Sequence, residues 1–241
     1  MLDRVLEPEV MDDADEAASY DAMDHAQPNA AFVDRLMALG IARCERALDL
    51  GTGPGDIPIL LCAQSDKLPG AGKSHGVSGR GTPLKAVGLA VFAVDLAQTM
   101  LDLAKPKVAA AGLSLRIELR QMDVKALDLP DASFDAVFSN TILHHIPEPL
   151  SMLQEAARVL KPGGLLLIRD LRRPDTQQEL DRLVTLHAAE CDAEQRRLFA
   201  ESLRAALTPD ELRDLAAQAG LDGAQVVVDT DRHMSLQRGV G

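Results

Sequence analysis

The sequence predicts an α/β protein built on a doubly wound, mostly parallel sheet with helices on both faces. Short apolar runs alternate with helical stretches after residue 40, the first run enters a turn with glycine at every second position, and an acid closes or follows each of the first three runs. Strands interleaved with helices pair in parallel through crossovers, and such a sheet gathers its ligands beyond the carboxyl ends of its strands.

Residues 1–40 read as an N-terminal helical lid segment and residues 41–241 as the α/β domain. Within the first segment, Tyr20, Met23 and His25 either close over a substrate or brace the surface. The first strand, Arg46–Leu50, runs into Gly51-Thr-Gly-Pro-Gly55. Glycines at 51, 53 and 55, having no Cβ, adopt positive φ and let a nucleotide-like group lie against the main chain, at the N-terminus of the helix that follows. A plain strand-to-helix turn has a similar composition. A dinucleotide fingerprint wants glycine at the first, third and sixth positions, whereas Asp56 holds the sixth here. An acid at the mouth of a phosphate turn repels the phosphate, so an uncharged or cationic nucleoside is the expected ligand.

Residues 63–86 hold five glycines, four Lys/Arg and one Asp with no apolar period, and read as a flexible insertion loop. Its Gly70-Ala-Gly-Lys-Ser74 stretch imitates a phosphate loop, but Lys67 stands where the opening glycine is required and no strand precedes it. The next strand, Ala86–Val94, ends on Asp95, and a third, Ser114–Leu119, leads to Met122-Asp-Val124. A carboxylate only accepts hydrogen bonds, so Asp95 suits two ribose hydroxyls. Asp123 suits an exocyclic amine, with Met122 and Val124 sandwiching a purine. An acid at any one strand end is also an ordinary cap or turn residue; three in register with the glycine turn point to a ligand.

A fourth strand, Phe134–Ser139, is followed by Asn140, His144 and His145, and then by a helix, Glu148–Leu160, that closes on Lys161-Pro-Gly-Gly164. The fifth strand, Leu165–Arg169, precedes Arg172 and Arg173, which either face an acidic acceptor or sit solvated. Residues 175–206 read as two amphipathic helices joined near Cys191 and covering one side of the site. Thr208-Pro-Asp-Glu211 has capping-box spacing with proline at the first helical position, which predicts a helix to about Ala219 ending at Gly220. Strands at Ala224–Val228 and, more weakly, Met234–Arg238 complete the pattern.

The balance of 25 Lys+Arg against 37 Asp+Glu gives a net charge of -12. Polyphosphate binding draws on clustered cations and stacked bases need aromatic platforms. Tyr20 and five Phe, without Trp, supply few, so no nucleic-acid partner is expected. Cys44, Cys62 and Cys191 form no ligand cluster, so neither disulfides nor a metal site are expected. No apolar run nears the roughly 20 residues that span a bilayer, and the acidic N-terminus is unlike a signal peptide. The expectation is a cytoplasmic protein with no membrane partner.

Five segments together resemble the class I S-adenosylmethionine-dependent methyltransferases, in particular those acting on small molecules. They are Leu48-Asp-Leu-Gly-Thr-Gly-Pro-Gly55, Val94-Asp-Leu-Ala-Gln-Thr-Met100, Met122-Asp123, Ser133-Phe-Asp-Ala-Val-Phe-Ser-Asn-Thr-Ile-Leu-His-His145 and Val159-Leu-Lys-Pro-Gly-Gly164. The resemblance implies a Rossmann-like, seven-stranded sheet whose last strand is antiparallel, with S-adenosyl-L-methionine as cofactor and S-adenosyl-L-homocysteine as product. It implies that Asp49, Gly51, Thr52, Gly53 and Gly55 hold the methionine portion and Asp95 the ribose. Met122, Asp123 and Val124 take the adenine, Leu96 and Met100 join the cofactor side, and Asn140 lies beside the cofactor. Gly51 and Asp95 are 44 positions apart, against about 20 for the analogous spacing in dinucleotide folds; the 63–86 loop accounts for the excess and should emerge at the amino ends of the strands.

Methyl transfer is an in-line displacement, so the protein's main task is alignment in a dry pocket. A base is needed only when the acceptor must lose a proton. His144 and His145 fit that role, since an imidazole titrates near neutrality, or else one packs and the other bonds backbone. His145, nearer the following helix, is expected to face the crevice; Tyr20 and His25 are the expected substrate contacts. The Asn-Pro-Pro-Tyr type tetrapeptide of nucleic-acid amine methylation and the cysteine pattern of arsenite methylation are both absent. Two alternatives are a nicotinamide-dependent oxidoreductase, which Asp56 and the lack of a Tyr-x-x-x-Lys pair disfavour, and a non-catalytic S-adenosylmethionine-binding protein.

Overall fold

The computed structural model describes residues 2–7, 17, 21, 25–67 and 88–241. Tyr20, Met23 and most of the 63–86 loop, with its Gly70–Ser74 stretch, lie outside the described residues. In chain order the elements are α1 (Ala26–Ala38), β1 (Arg46–Leu50), α2 (Asp56–Ser65), β2 (Ala90–Asp95), α3 (Gln98–Ala110), β3 (Ile117–Gln121) and β4 (Phe134–Asn140). Then follow α4 (Pro149–Val159), β5 (Leu160–Leu171), α5 (Gln177–His187), α6 (Ala193–Ala205), α7 (Pro209–Gln218), β6 (Gln225–Val228) and β7 (His233–Arg238).

The seven strands form one sheet in the order β3-β2-β1-β4-β5-β7-β6. The first five strands pair in parallel, and β7 runs antiparallel to both β5 and β6. This is the doubly wound, mostly parallel sheet expected, with its last strand reversed.

Side chains alternate across each strand, and the two faces carry separate cores. Leu48, Leu50, Val137, Leu166 and Ile168 pack with Met152 and Leu153 of α4 and Leu212 of α7. On the other face Ala47, Ala93, Phe138, Leu165 and Leu167 pack with Phe32, Val33 and Leu36 of α1 and Leu61 of α2. Helix α1 therefore belongs to the sheet's core. Of the segment expected to form a lid, residues 26–38 do not stand apart, because Phe32 lies fully buried against Phe138, 6.1 Å between ring centres.

Three strands start three or more residues away from the sequence reading. Strand β2 starts at Ala90 rather than 86, and β3 at Ile117 rather than 114. There the Arg116 and Ile117 N–H groups both bond the Leu113 carbonyl and hold a turn. Strand β5 begins where α4 ends, pairing Leu160 with Phe134, then shifts register so that Ala136 meets Leu165. A Cβ on Gly164 would lie 2.8 Å from the Asp135 carbonyl oxygen, so the irregularity needs glycine. The Thr208 box forms as expected, with the Thr208 N–H donating to Glu211 Oε2 (2.8 Å), and Gly220 follows in left-handed conformation.

The described ends of the long connection between α2 and β2, residues 67 and 88, sit at the amino edge of the sheet, whereas Asp49 and Asp95 mark its carboxyl edge. Long connections cost little closure entropy. Replacing residues 68–83 with a short turn should leave affinity for S-adenosylhomocysteine unchanged in titration calorimetry; a large loss in a variant that still melts cooperatively would contradict this.

Candidate active site

Strand parity assembles the site. Ala47 and Asp49 of β1, Ala93 and Asp95 of β2, and Phe138 and Asn140 of β4 alternate onto the same face, and the registers Asp49↔Ala93 and Asp49↔Phe138 bring the three polar groups to one edge. Asp49 is buried and its Oδ2 has no hydrogen-bond partner; the same holds for Thr52 Oγ1 and Asn140 Oδ1. Burial, reinforced by the Asp95 carboxylate and only partly offset by the nearby Thr52 hydroxyl, pushes the Asp49 carboxyl up to about 7. A buried acceptor without a donor is costly, and three beside one turn mark a place that expects donors.

The turn after β1 is held from below. The Gly51 and Thr52 N–H groups both donate to the Val94 carbonyl, that of Gly55 to Thr52, and that of Gly53 to Asp95 Oδ2 (2.8 Å). Pro54 has no N–H, so this turn spends its backbone donors internally and offers none of them to a phosphate. The glycines remain necessary. All three have positive φ, a Cβ on Gly51 would meet Ile142 at 2.6 Å, and one on Gly53 would meet nothing within 4 Å, since that position faces open space. Asp95 also accepts from the Ala97 N–H (2.9 Å), so it braces the turn and the start of α3.

The other expected cofactor residues are placed as follows. Leu96 is exposed, whereas Met100 is buried against Ala17 and Ala97. Val124 is buried with Leu127 and Met122 packs beside them, while Asp123 accepts from the Lys125 N–H (2.9 Å). His25 precedes α1 as its N-terminal cap residue. Asp56 is not a free acid at the mouth: Lys107 of α3 pairs with it (2.9 Å) and with Asp21. The repulsion argument from sequence is thus weakened, and the spent N–H groups carry the case against a pyrophosphate instead. Arg172 and Arg173 are neither solvated nor aimed at an acceptor. Arg173 is buried, donating to the Ala206 carbonyl and to Glu211, and Arg172 donates to the Asp231 carbonyl.

Beyond Asn140, Thr141 takes a positive φ of 64° and a short turn carries Leu143–His145. His144 is buried with Nδ1 2.6 Å from Asp170 Oδ1, and its backbone N–H donates to Asp170 Oδ2. Burial disfavours charge on both groups, yet their mutual attraction holds the His144 pKa above and the Asp170 pKa below the ordinary values. His145 is half-exposed and stacks on His144, ring centres 4.1 Å apart. Residues 2–7 pass over both rings. Arg4 donates to the Ile146, Pro147 and Ala205 carbonyls, and Glu7 places Oε1 2.9 Å from His145 Nδ1 and 3.2 Å from His144 Nε2. Glu7 Oε2 accepts from Ser202 of α6, so α6 does cover this side. Asp170 and Glu7 were missed in the sequence. Asp170 had a signal, another acid near the carboxyl end of a strand, but Glu7 reaches the site only through the fold.

A methyltransferase domain family model matches residues 75–168. The chain is 27% identical over 192 residues to 27-O-demethylrifamycin SV methyltransferase of Amycolatopsis mediterranei, covering 79% of this chain but only 59% of that enzyme's length. It is 27% identical over 209 residues to the ubiquinone/menaquinone biosynthesis C-methyltransferase of Pectobacterium atrosepticum, covering 83% and 75%. A solved methyltransferase of Aquifex aeolicus shares the fold at a TM-score of 0.62 with 18% identity, over 95% of this chain and 99% of that one. Over these matched residues the chain is similar to S-adenosylmethionine-dependent methyltransferases, and it spans 59% of the length of the rifamycin enzyme. Among the described residues no helix is long and apolar enough to cross a membrane.

The buried Asp49 carboxyl gives a pH prediction. An ammonium ligand pairs with the ionised form, and the free protein must release a proton near pH 7 to offer it. Affinity for S-adenosylhomocysteine should therefore be flat above about pH 7 and fall roughly tenfold per unit below it. Calorimetry across that range checks this, and Asp49→Asn should bind more weakly and lose the slope.

Proposed function

We propose that this enzyme methylates a small-molecule acceptor seated between Asn140 and the His144–His145 turn. The observation that carries the reading is the set of partnerless buried oxygens on Asp49, Thr52 and Asn140 beside a glycine turn open at Gly53. They fit a cationic amino-acid ligand. When bound, S-adenosylmethionine supplies a methyl group on a sulfonium, which an aligned nucleophile displaces in line. Asp49 and Thr52 would hold its amino-acid end, Asp95 the ribose hydroxyls, and Asp123 with Met122 the adenine.

On the acceptor side His145 is the group able to take a proton. It is half-exposed, and the Glu7 carboxylate lies 2.9 Å from its Nδ1. His144, fixed between Asp170 and Glu7, positions that pair. Tyr20 and His25 remain proposed acceptor contacts. One relative is named for O-methylation and another for C-methylation, which suggests an acceptor with a hydroxyl or an activated carbon. The net charge of -12 argues for a metabolite rather than a nucleic acid. Turnover of methyl-labelled S-adenosylmethionine against a panel of hydroxylated and quinone-like metabolites tests the reading, and tighter binding of NADH than of S-adenosylhomocysteine would overturn it.

Asp95→Ala should lower affinity for S-adenosylhomocysteine about 10- to 100-fold, since a hydrogen bond to a charged group contributes roughly 1.5–3 kcal/mol. Unchanged affinity in calorimetry would remove Asp95 from the ribose site. His145→Ala should leave that affinity nearly unaltered and slow the chemical step about 10²- to 10⁴-fold. A variant keeping more than half of its single-turnover rate would show that alignment alone drives transfer.

A further inference from the structure

The Glu7, His144 and His145 cluster presents three ligand atoms to a single point. Their metal-binding atoms lie within 4.8 Å of one another. Glu7 Oε1 is 3.2 Å from His144 Nε2 and 2.9 Å from His145 Nδ1, yet it makes no hydrogen bond with in-line geometry, although the Glu7 side chain is only 9% exposed. Ions such as Zn²⁺ sit about 2.0–2.2 Å from imidazole nitrogen and carboxylate oxygen, so neighbouring ligands on one ion are spaced about 3 Å apart. The observed separations match that spacing. Asp170 completes the pattern from behind: its Oδ1 lies 2.6 Å from His144 Nδ1, fixing the proton there and leaving the Nε2 lone pair turned toward Glu7. Two acceptors 3.2 Å apart need a cation between them, and either a proton or a metal ion meets that need.

We propose that Glu7, His144 and His145 form a two-histidine, one-carboxylate site for a divalent transition metal such as Zn²⁺, with Asp170 as the residue that orients His144. This ligand set leaves coordination positions open. They face the side where His145 is half-exposed, next to the carboxyl end of β4, so water or an acceptor oxygen can fill them. An ion there occupies His145 Nδ1, so the loaded form does not use His145 as a base. The proposal departs from the expectation of no metal from sequence, where Glu7 stands 137 positions before His144 and no ligand spacing is visible.

Zinc binding is read directly by calorimetry on the chelator-treated full chain, so the result is independent of turnover and of the acceptor's identity. The wild type should bind one Zn²⁺ per chain and melt at a higher temperature with it. Glu7→Gln and His145→Gln should each weaken binding at least tenfold, and Asp170→Asn about 10- to 100-fold. His187→Gln, which alters the exposed His187–Asp231 pair, should bind as the wild type does. Glu7→Gln can loosen the N-terminal strand of chain, so the half-exposed His145→Gln variant decides whenever Glu7→Gln fails to melt cooperatively. A wild-type Kd weaker than about 100 μM, or zinc affinity unchanged in His145→Gln, would overturn the proposal.

Discussion

Because Asp49 alternates onto the same sheet face as Ala47, and because β1 lies between β2 and β4, its carboxylate is enclosed on both sides by neighbouring strands. The fold buries it and leaves one oxygen without a donor. A protein selected only for stability has no use for such a group, since an unsatisfied buried acceptor costs on the order of 1–3 kcal/mol. The cost is tolerable where a ligand brings the donor. Everything around Asp49 keeps it in that condition. The Asp95 carboxylate, instead of a cation, lies nearest in charge, the glycine turn is tied down by Val94 and Asp95, and the positive φ at Gly51 lets Ile142 close against the turn.

The side proposed for the acceptor rests on a second buried carboxylate used in the opposite way. Asp170 belongs to the other face of β5 and is fully satisfied by His144 and the Leu171 N–H. That bond makes the 143–145 turn a rigid platform, over which residues 2–7 are clamped by Arg4 and Glu7. The two halves of the site therefore differ physically. The half proposed for the cofactor is held by strand register within one sheet, and the half proposed for the acceptor by contacts among segments far apart in sequence.

This difference explains what was legible in the sequence. The seven strands, the glycine turn, the Thr208 capping box and the acids at 49, 95 and 123 all depend on patterns within a few residues, and each stood out. What failed depended on partners: Asp56 seemed a free acid until Lys107 met it, Arg173 seemed solvated until α7 enclosed it, and Glu7 had no signal at all. The start of β3 failed for a local reason, a turn closed on the Leu113 carbonyl that competes with strand pairing.

The family model covers residues 75–168, which take in β2, β3, β4 and the two histidines but neither the glycine turn, Glu7, Asp170 nor α6. His144 and His145 are thus within the shared segment, whereas the groups that orient and charge them come from outside it. If acceptor choice lies in those outer pieces, relatives of similar sheet architecture are free to methylate oxygen in one case and carbon in another. In this chain the chemistry of the histidine turn depends on what residues 2–7 and α6 bring to it, a carboxylate from Glu7 that is itself tied to Ser202.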